Sequence, residues 1–150
     1  MLETAAALAG MAASAFLAAT ILPFPSEATF AGLLYAGRVD PLALFLVATV
    51  FNTAGSCVNW QVGRLVAGHG VERLPARLRP EPTSLARAEA LFARYGWPSL
   101  LFSFVPGVGD LATLAAGLLH YPFTRFVLLV GIGKAARYGA IWAGLTAVAG

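Results

Sequence analysis

Three long stretches of the chain carry no charged residue: Thr4–Ser26, Pro41–Gly63 and Tyr95–Gly109. A spanning helix needs about 20 predominantly apolar residues, so these runs decide the surrounding solvent before they decide any fold. Of the 150 residues, 59% are hydrophobic and only 11% charged, where a soluble domain carries about 25%. The chain therefore reads as one integral membrane domain. Its formal charge of +3 does not point to nucleic acid, because the basic residues are sparse and gathered in one segment, where they report topology. The N-terminus has no basic region before its alanine-rich stretch, so no cleaved signal peptide is expected. The single cysteine, Cys57, excludes an intrachain disulfide and reads as a small packing residue.

Only two runs are long and unbroken enough to span: Pro41–Gly63, and Phe126–Gly150 if Lys134 and Arg137 are tolerated. The others are interrupted. "PFPSE", with Pro23 and Pro25, splits the first run into about 12–22 and 28–37; "PGVGD", with Pro106, Gly107 and Gly109, splits the third into about 97–105 and 111–121. Each piece would reach about 14–17 Å as an α-helix, half a hydrocarbon core. Half-length apolar pieces on either side of a break suggest re-entrant hairpins. The breaks also correspond: Pro23 and Pro106 each stand four residues before an acid, Glu27 or Asp110, and "AGLL" follows each acid, at 31–34 and 116–119.

The expected fold is all-α, with two inverted repeats, each a re-entrant helical hairpin followed by a transmembrane helix. Repeat one covers about 4–63, a polar linker and surface helix 64–95, and repeat two about 96–150. One full span between the repeats puts them on opposite faces. The Arg64–Arg94 segment holds six arginines and three glutamates, which places it in the cytoplasm by the positive-inside rule. Its end, "PTSLARAEALFARYG", carries Leu85, Ala88, Leu91 and Phe92 at helical spacing opposite Arg87 and Arg94, the pattern of an amphipathic helix on a membrane surface. A multi-pass protein of a bacterial-type inner membrane is expected. Interrupted helices at matching positions of two inverted halves are a pointer to a transporter site at the midplane; two proline-kinked ordinary spans are the plainer reading.

Four ionisable residues are the candidate substrate and proton site. Glu27 and Asp110 stand at half-helix starts, where free N–H groups and the dipole favour an anion. Capping alone would account for them, yet an ionised group at membrane depth costs about 2.5–3.5 kcal/mol, which serine or asparagine would avoid. Lys134 and Arg137 lie three residues apart on one helical face, Lys134 about 12–13 Å into its expected span. Both are expected to face the acids, as a structural ion pair or as cations for a phosphate. Asn52, Ser56 and Asn59, with Gly63, form a polar stripe suited either to interhelical hydrogen bonds or to a hydrophilic groove. Arg64 is expected to snorkel. No metal-ligand spacing, nucleophile motif or complete P-loop is present; "GIGKAA" lacks the upstream glycines and the hydroxyl residue after the lysine. Neither a cofactor nor an enzymatic activity is expected.

Four segments in order, "FLAATILPFPSEA", "FNTAGSCVNWQVGR", "RYGWPSLLFSFVPGVGDLATLAAGLL" and "GKAARYG", resemble the DedA superfamily (SNARE-associated or VTT-domain proteins) and more narrowly its YqaA branch. The resemblance implies paired re-entrant hairpins and movement of lipids or lipid-linked phosphates between leaflets, coupled to protons, with Glu27 matching the family's embedded acid. Two arginines typical of the family, three residues before and after the second-hairpin proline, are here Ser103 and Gly109; Lys134 and Arg137 are candidates to replace them. Membrane lipids and protons are the expected partners, a homodimer would enlarge a small bundle, and the rival functions are a proton-linked carrier of small ions or drugs and a non-transporting organiser of the membrane.

Overall fold

The computed structural model describes residues 1–20 and 25–149. Pro23, one of the two prolines of the first break, lies outside the described residues. Among the described residues all regular structure is helical.

The alanine-rich start folds as helix α1, Leu2–Ala18, with Glu3 in its first turn where the helix dipole favours a negative charge. The expected short arm from Ala12 is replaced by a longer one. Its 17 residues span about 25 Å, because alanine is the best helix former and nothing before Ala12 breaks the helix. Helix α2, Ser26–Ala36, follows Pro25 and ends at Gly37, whose φ of 63° gives the left-handed C-cap. Helix α3, Pro41–His69, starts on an Asp40 cap that accepts from the Ala43 N–H at 2.8 Å, with proline in the first turn.

The arginine-rich linker forms two short 3-10 turns, 71–73 and 76–78, before helix α4, Pro82–Tyr95. The second interrupted run begins with a 3-10 segment, Trp97–Phe104, where an α-helical arm is expected. Pro98 opens it, and the tighter coil gains about 2 Å per residue, so eight residues reach as far as a longer α-helical arm. Helix α5, Val108–Leu118, and the long α6, Phe123–Ala149, complete the chain. The short helices α2 and α5 have 11 residues each, and the spans α3 and α6 have 29 and 27.

Packing crosses between the two halves. Helix α3 is gripped by α1 and α5, and α6 by α2 and the 3-10 segment. The close approaches rest on missing side chains. A Cβ at Gly55 would strike the Phe16 carbonyl on α1; one at Gly117 of α5 would strike the Trp60 carbonyl on α3, and one at Gly63 of α3 would strike the Leu114 carbonyl. Membrane helices associate through such backbone contact because lipid supplies no hydrophobic drive between them.

Polarity is distributed inside out. On α3 the residues turned inward include Asn52, Ser56 and Asn59, while Leu42, Leu46 and Val50 stand exposed one turn apart. Leu128 and Ile132 do the same on α6. Exposed apolar stripes over buried polar groups suit a molecule immersed in hydrocarbon. Helices α3 and α6 are long and apolar enough to cross it. The apolar face of α4 meets protein. Ala88 is fully buried, and Leu85, Leu91 and Phe92 pack against Leu114, Leu118 and Leu100, so the stripe covers protein. Arg64, beyond the core of α3, sits over the Trp60 ring at 5.1 Å.

Candidate functional site

Helices α2 and α5 bring their first turns to one cavity of about 840 Å³, closed on the far side by α6. Glu27, Asp110, Lys134 and Arg137 all line it, together with Asn59, Ser103, Pro106 and Gly107. Pro25 stands at the N-cap of α2 and Pro106 just before the N-cap of α5, so the two acids fall in the first turns of these helices, on the cavity lining. The N-cap residues themselves, Pro25 of α2 and Gly107 of α5, supply no side-chain cap; the Asp110 carboxylate accepts from the Gly107 N–H at the start of α5.

The cations differ in their partners. Arg137 forms an ion pair with Glu27, tying α6 to the start of α2, with side chains 18% and 35% exposed. Lys134 is 2% exposed. Because α6 begins at Phe123 rather than Phe126, it stands about 16 Å along its helix, deeper than the sequence spacing implies. Among the described residues it has neither a hydrogen bond nor a carboxylate within 4.0 Å. Its ammonium belongs to the cavity.

A second layer of polar contacts holds this wall. Tyr138, fully buried one helical turn beyond Lys134, donates to Ser26 Oγ at 3.0 Å and accepts from Asn52 Nδ2 at 3.0 Å. One hydroxyl therefore joins α2, α3 and α6. Ser56 Oγ returns to the Asn52 carbonyl at 3.3 Å, so it serves its own helix. Asn59 Nδ2 donates to the Ala19 carbonyl at 2.9 Å and to Thr113 Oγ1 at 3.3 Å, while its buried Oδ1 has no partner among the described residues. That orientation is chemically required, since a carbonyl oxygen can only accept. Two of the three stripe residues thus bond between helices, and Asn59 also faces the cavity.

Sequence reasoning passed over Tyr138, although it follows Lys134 by four residues and so shares its face. It also passed over the cavity rim, formed by Arg79, Pro80, Glu81 and Ser84 from the linker and the start of α4. No local signal marks them; the Arg79 guanidinium is carried there by its grip on the carbonyls of Leu74 and Glu72, at 2.9 and 3.1 Å. Of the two positions where the family resemblance anticipates arginine, 103 faces the cavity and 109 has no room for a side chain. Ser103 is buried with its Oγ 3.4 Å from the Val130 carbonyl. A Cβ at residue 109 would stand 2.5 Å from the Ser103 carbonyl oxygen, so no side chain fits there without moving the break.

A helical membrane protein with a charged cavity between its helices is the class this architecture defines. The VTT-domain family model matches residues 22–145, and the chain belongs to that family, the DedA family. It is similar to the inner membrane protein YqaA of Escherichia coli (strain K12), with 34% identity over 140 residues, 93% of this chain and 92% of that one. An uncharacterised protein of Haemophilus influenzae is 37% identical over 135 residues, 85% of this chain and 80% of its own. An alkaline phosphatase-like protein of Lactococcus lactis subsp. cremoris is 28% identical over 120 residues, 74% of this chain and 56% of its own. No solved structure matches the chain.

Proposed function

We propose that the protein moves the polar head of a membrane lipid between leaflets through the charged cavity, with proton exchange at Glu27 and Asp110 coupled to binding at Lys134 and Arg137. The observation that carries this reading is the convergence of two acids and two bases on the lining of one cavity in a molecule whose outer faces are apolar. Keeping four ionisable groups at membrane depth is expensive, and a bundle held only by packing would need none of them. Similarity to an inner membrane protein over nearly the whole chain supports placement in a bacterial inner membrane. The arginine-rich linker supports a cytoplasmic face for residues 64–94, and the two hairpins act as inverted repeats around the site.

The test is leaflet exchange of fluorescent lipid in liposomes carrying the purified protein, with Glu27→Gln beside it and with and without a pH gradient. Accelerated exchange in the wild type, lost in the variant, is expected. Exchange no faster than in empty liposomes would remove the lipid reading, and pH-driven uptake of a small ion without lipid movement would replace it with a carrier of solutes. The Glu27–Arg137 pair favours one further reading, a structural clamp in a non-transporting protein; that reading requires Glu27→Gln to lower stability while leaving exchange unchanged.

A further inference from the structure

Behind the charged cavity, side chains from three helices stand in one line of hydrogen bonds that ends on Glu27. Asn52 Nδ2 on α3 donates to Tyr138 Oη on α6 at 3.0 Å, and Tyr138 donates to Ser26 Oγ at the start of α2, also at 3.0 Å. Ser26 in turn donates to Glu27 Oε1 over a longer 3.5 Å. Every donor in the line points towards the carboxylate, the polarity that suits an ionised Glu27. Ser26, Tyr138 and Asn52 are buried, so the line runs from the cavity lining into the interior. At its far end Asn52 Oδ1 is buried and has no partner among the described residues. A buried acceptor without a donor is costly, and a leucine would fill that place without the cost.

Resting on the reading of Glu27 as a proton-exchanging group, we infer that Asn52, Tyr138 and Ser26 are positioning residues whose hydrogen-bond line reverses when Glu27 is protonated, holding its carboxyl in place in both states. A neutral carboxyl group carries one O–H and becomes a donor. Its donation to Ser26 Oγ turns the serine hydroxyl towards Tyr138 and the tyrosine hydroxyl towards Asn52. A half-turn of the amide then presents Oδ1 where Nδ2 stood, and the unused acceptor takes the last bond. The proton reaches Glu27 from the cavity; beyond that one O–H bond, only hydroxyls and an amide rotate. The charged groups that share the cavity with Glu27 are its partner Arg137, Lys134 and Asp110, with Arg79 and Glu81 at the rim. Of the helices packed on α2, α3 brings the neutral Asn52 and α1 the neutral Ser14, bonded to Thr29, while Glu3 of α1 stands near Arg38 beyond the other end of α2. Protonation removes the attraction of Arg137, and the reversed line is what then keeps the carboxyl from drifting.

The measurement is the acid-minus-alkaline infrared difference spectrum of the full-length protein in neutral detergent, the alkaline side kept below the range where tyrosine ionises. A protonated-carboxyl band lost in Glu27→Gln reports Glu27 itself. A tyrosine C–O band is expected to shift with it, to be lost in Tyr138→Phe, and to vanish in Glu27→Gln and in Ser26→Ala, the serine variant keeping the Glu27 band. An asparagine amide band should move in step and be lost in Asn52→Leu. A monodisperse elution profile of each variant guards against misfolding. In the liposome assay Tyr138→Phe should displace the pH profile of exchange. A titrating Glu27 band without a tyrosine or amide response, a tyrosine response that survives Glu27→Gln or Ser26→Ala, or a Tyr138→Phe rate lowered equally at every pH would overturn this inference and leave the proposed function standing. No titrating Glu27 band would overturn both. Coupled bands in a protein that exchanges no lipid uphold the inference and sink the lipid reading alone.

Discussion

Tyr138 places a single hydroxyl between helices from opposite halves of the chain, and its two hydrogen bonds link α3 to the start of α2. Tyr138→Phe keeps the ring, which lies 5.0 Å from that of Phe30, and removes only the oxygen. Two buried partners then lose their bond, at a cost of about 1–3 kcal/mol, towards the lower end because polar contacts within membranes average less. Reversible unfolding in mixed micelles measures it; a loss below a few tenths of a kcal/mol would show that Ser26 and Asn52 find other partners. The Glu27–Arg137 pair makes a different prediction at the same scale. Removing one partner strands a charge, whereas removing both does not. Glu27→Gln/Arg137→Gln is therefore expected to be more stable than Arg137→Gln alone, and equal stabilities in the same unfolding assay would deny that the pair is coupled.

The elements are held by backbone proximity, and this makes their glycines unequal. Gly117→Ala would push a methyl into the Trp60 carbonyl, forcing α5 from α3, while Gly32 on α2 has nothing within 4 Å of the added atom. The first substitution is expected to cost about 1–3 kcal/mol through overpacking. The second should be neutral or gain up to about 1 kcal/mol from helix propensity. Parallel melting curves of the two variants check the contrast. Helix α4 follows the same logic, because its apolar face is occupied by α5 and the 3-10 segment. Amphipathic periodicity was legible in residues 82–95; what the apolar face would meet was not, since a stripe of leucine, alanine and phenylalanine is equally satisfied by lipid and by protein.

For the whole molecule, the proposed opposed arrangement of the two halves makes a sidedness prediction. With Cys57 replaced by serine, a cysteine at Ser84 should react with a membrane-impermeant maleimide in inside-out vesicles, and a cysteine at Arg38 only in right-side-out ones. Labelling of both from the same face would refute the opposed arrangement. Ser84 also lines the rim of the cavity, so a bulky label there should slow leaflet exchange, which the liposome assay reads directly.

Composition, charge-free runs and proline positions already dictate a helical membrane protein, its two long spans and the two acids that follow the breaks. These depend on local quantities: hydropathy over about 20 residues, and the missing N–H and fixed φ of proline. The longer α1 and the 3-10 arm escape that reading because alanine continues a helix past any hydropathy boundary, and because a 3-10 coil and an α-helix share the same apolar composition. Tertiary structure alone decides that Arg137 takes Glu27 while Lys134 stays without a carboxylate, that Tyr138 joins three helices, and that Arg79 and Glu81 reach the cavity rim. Which charges meet depends on how close two backbones come and at what angle, and close approach is allowed where Gly55, Gly63 and Gly117 meet carbonyls of other helices.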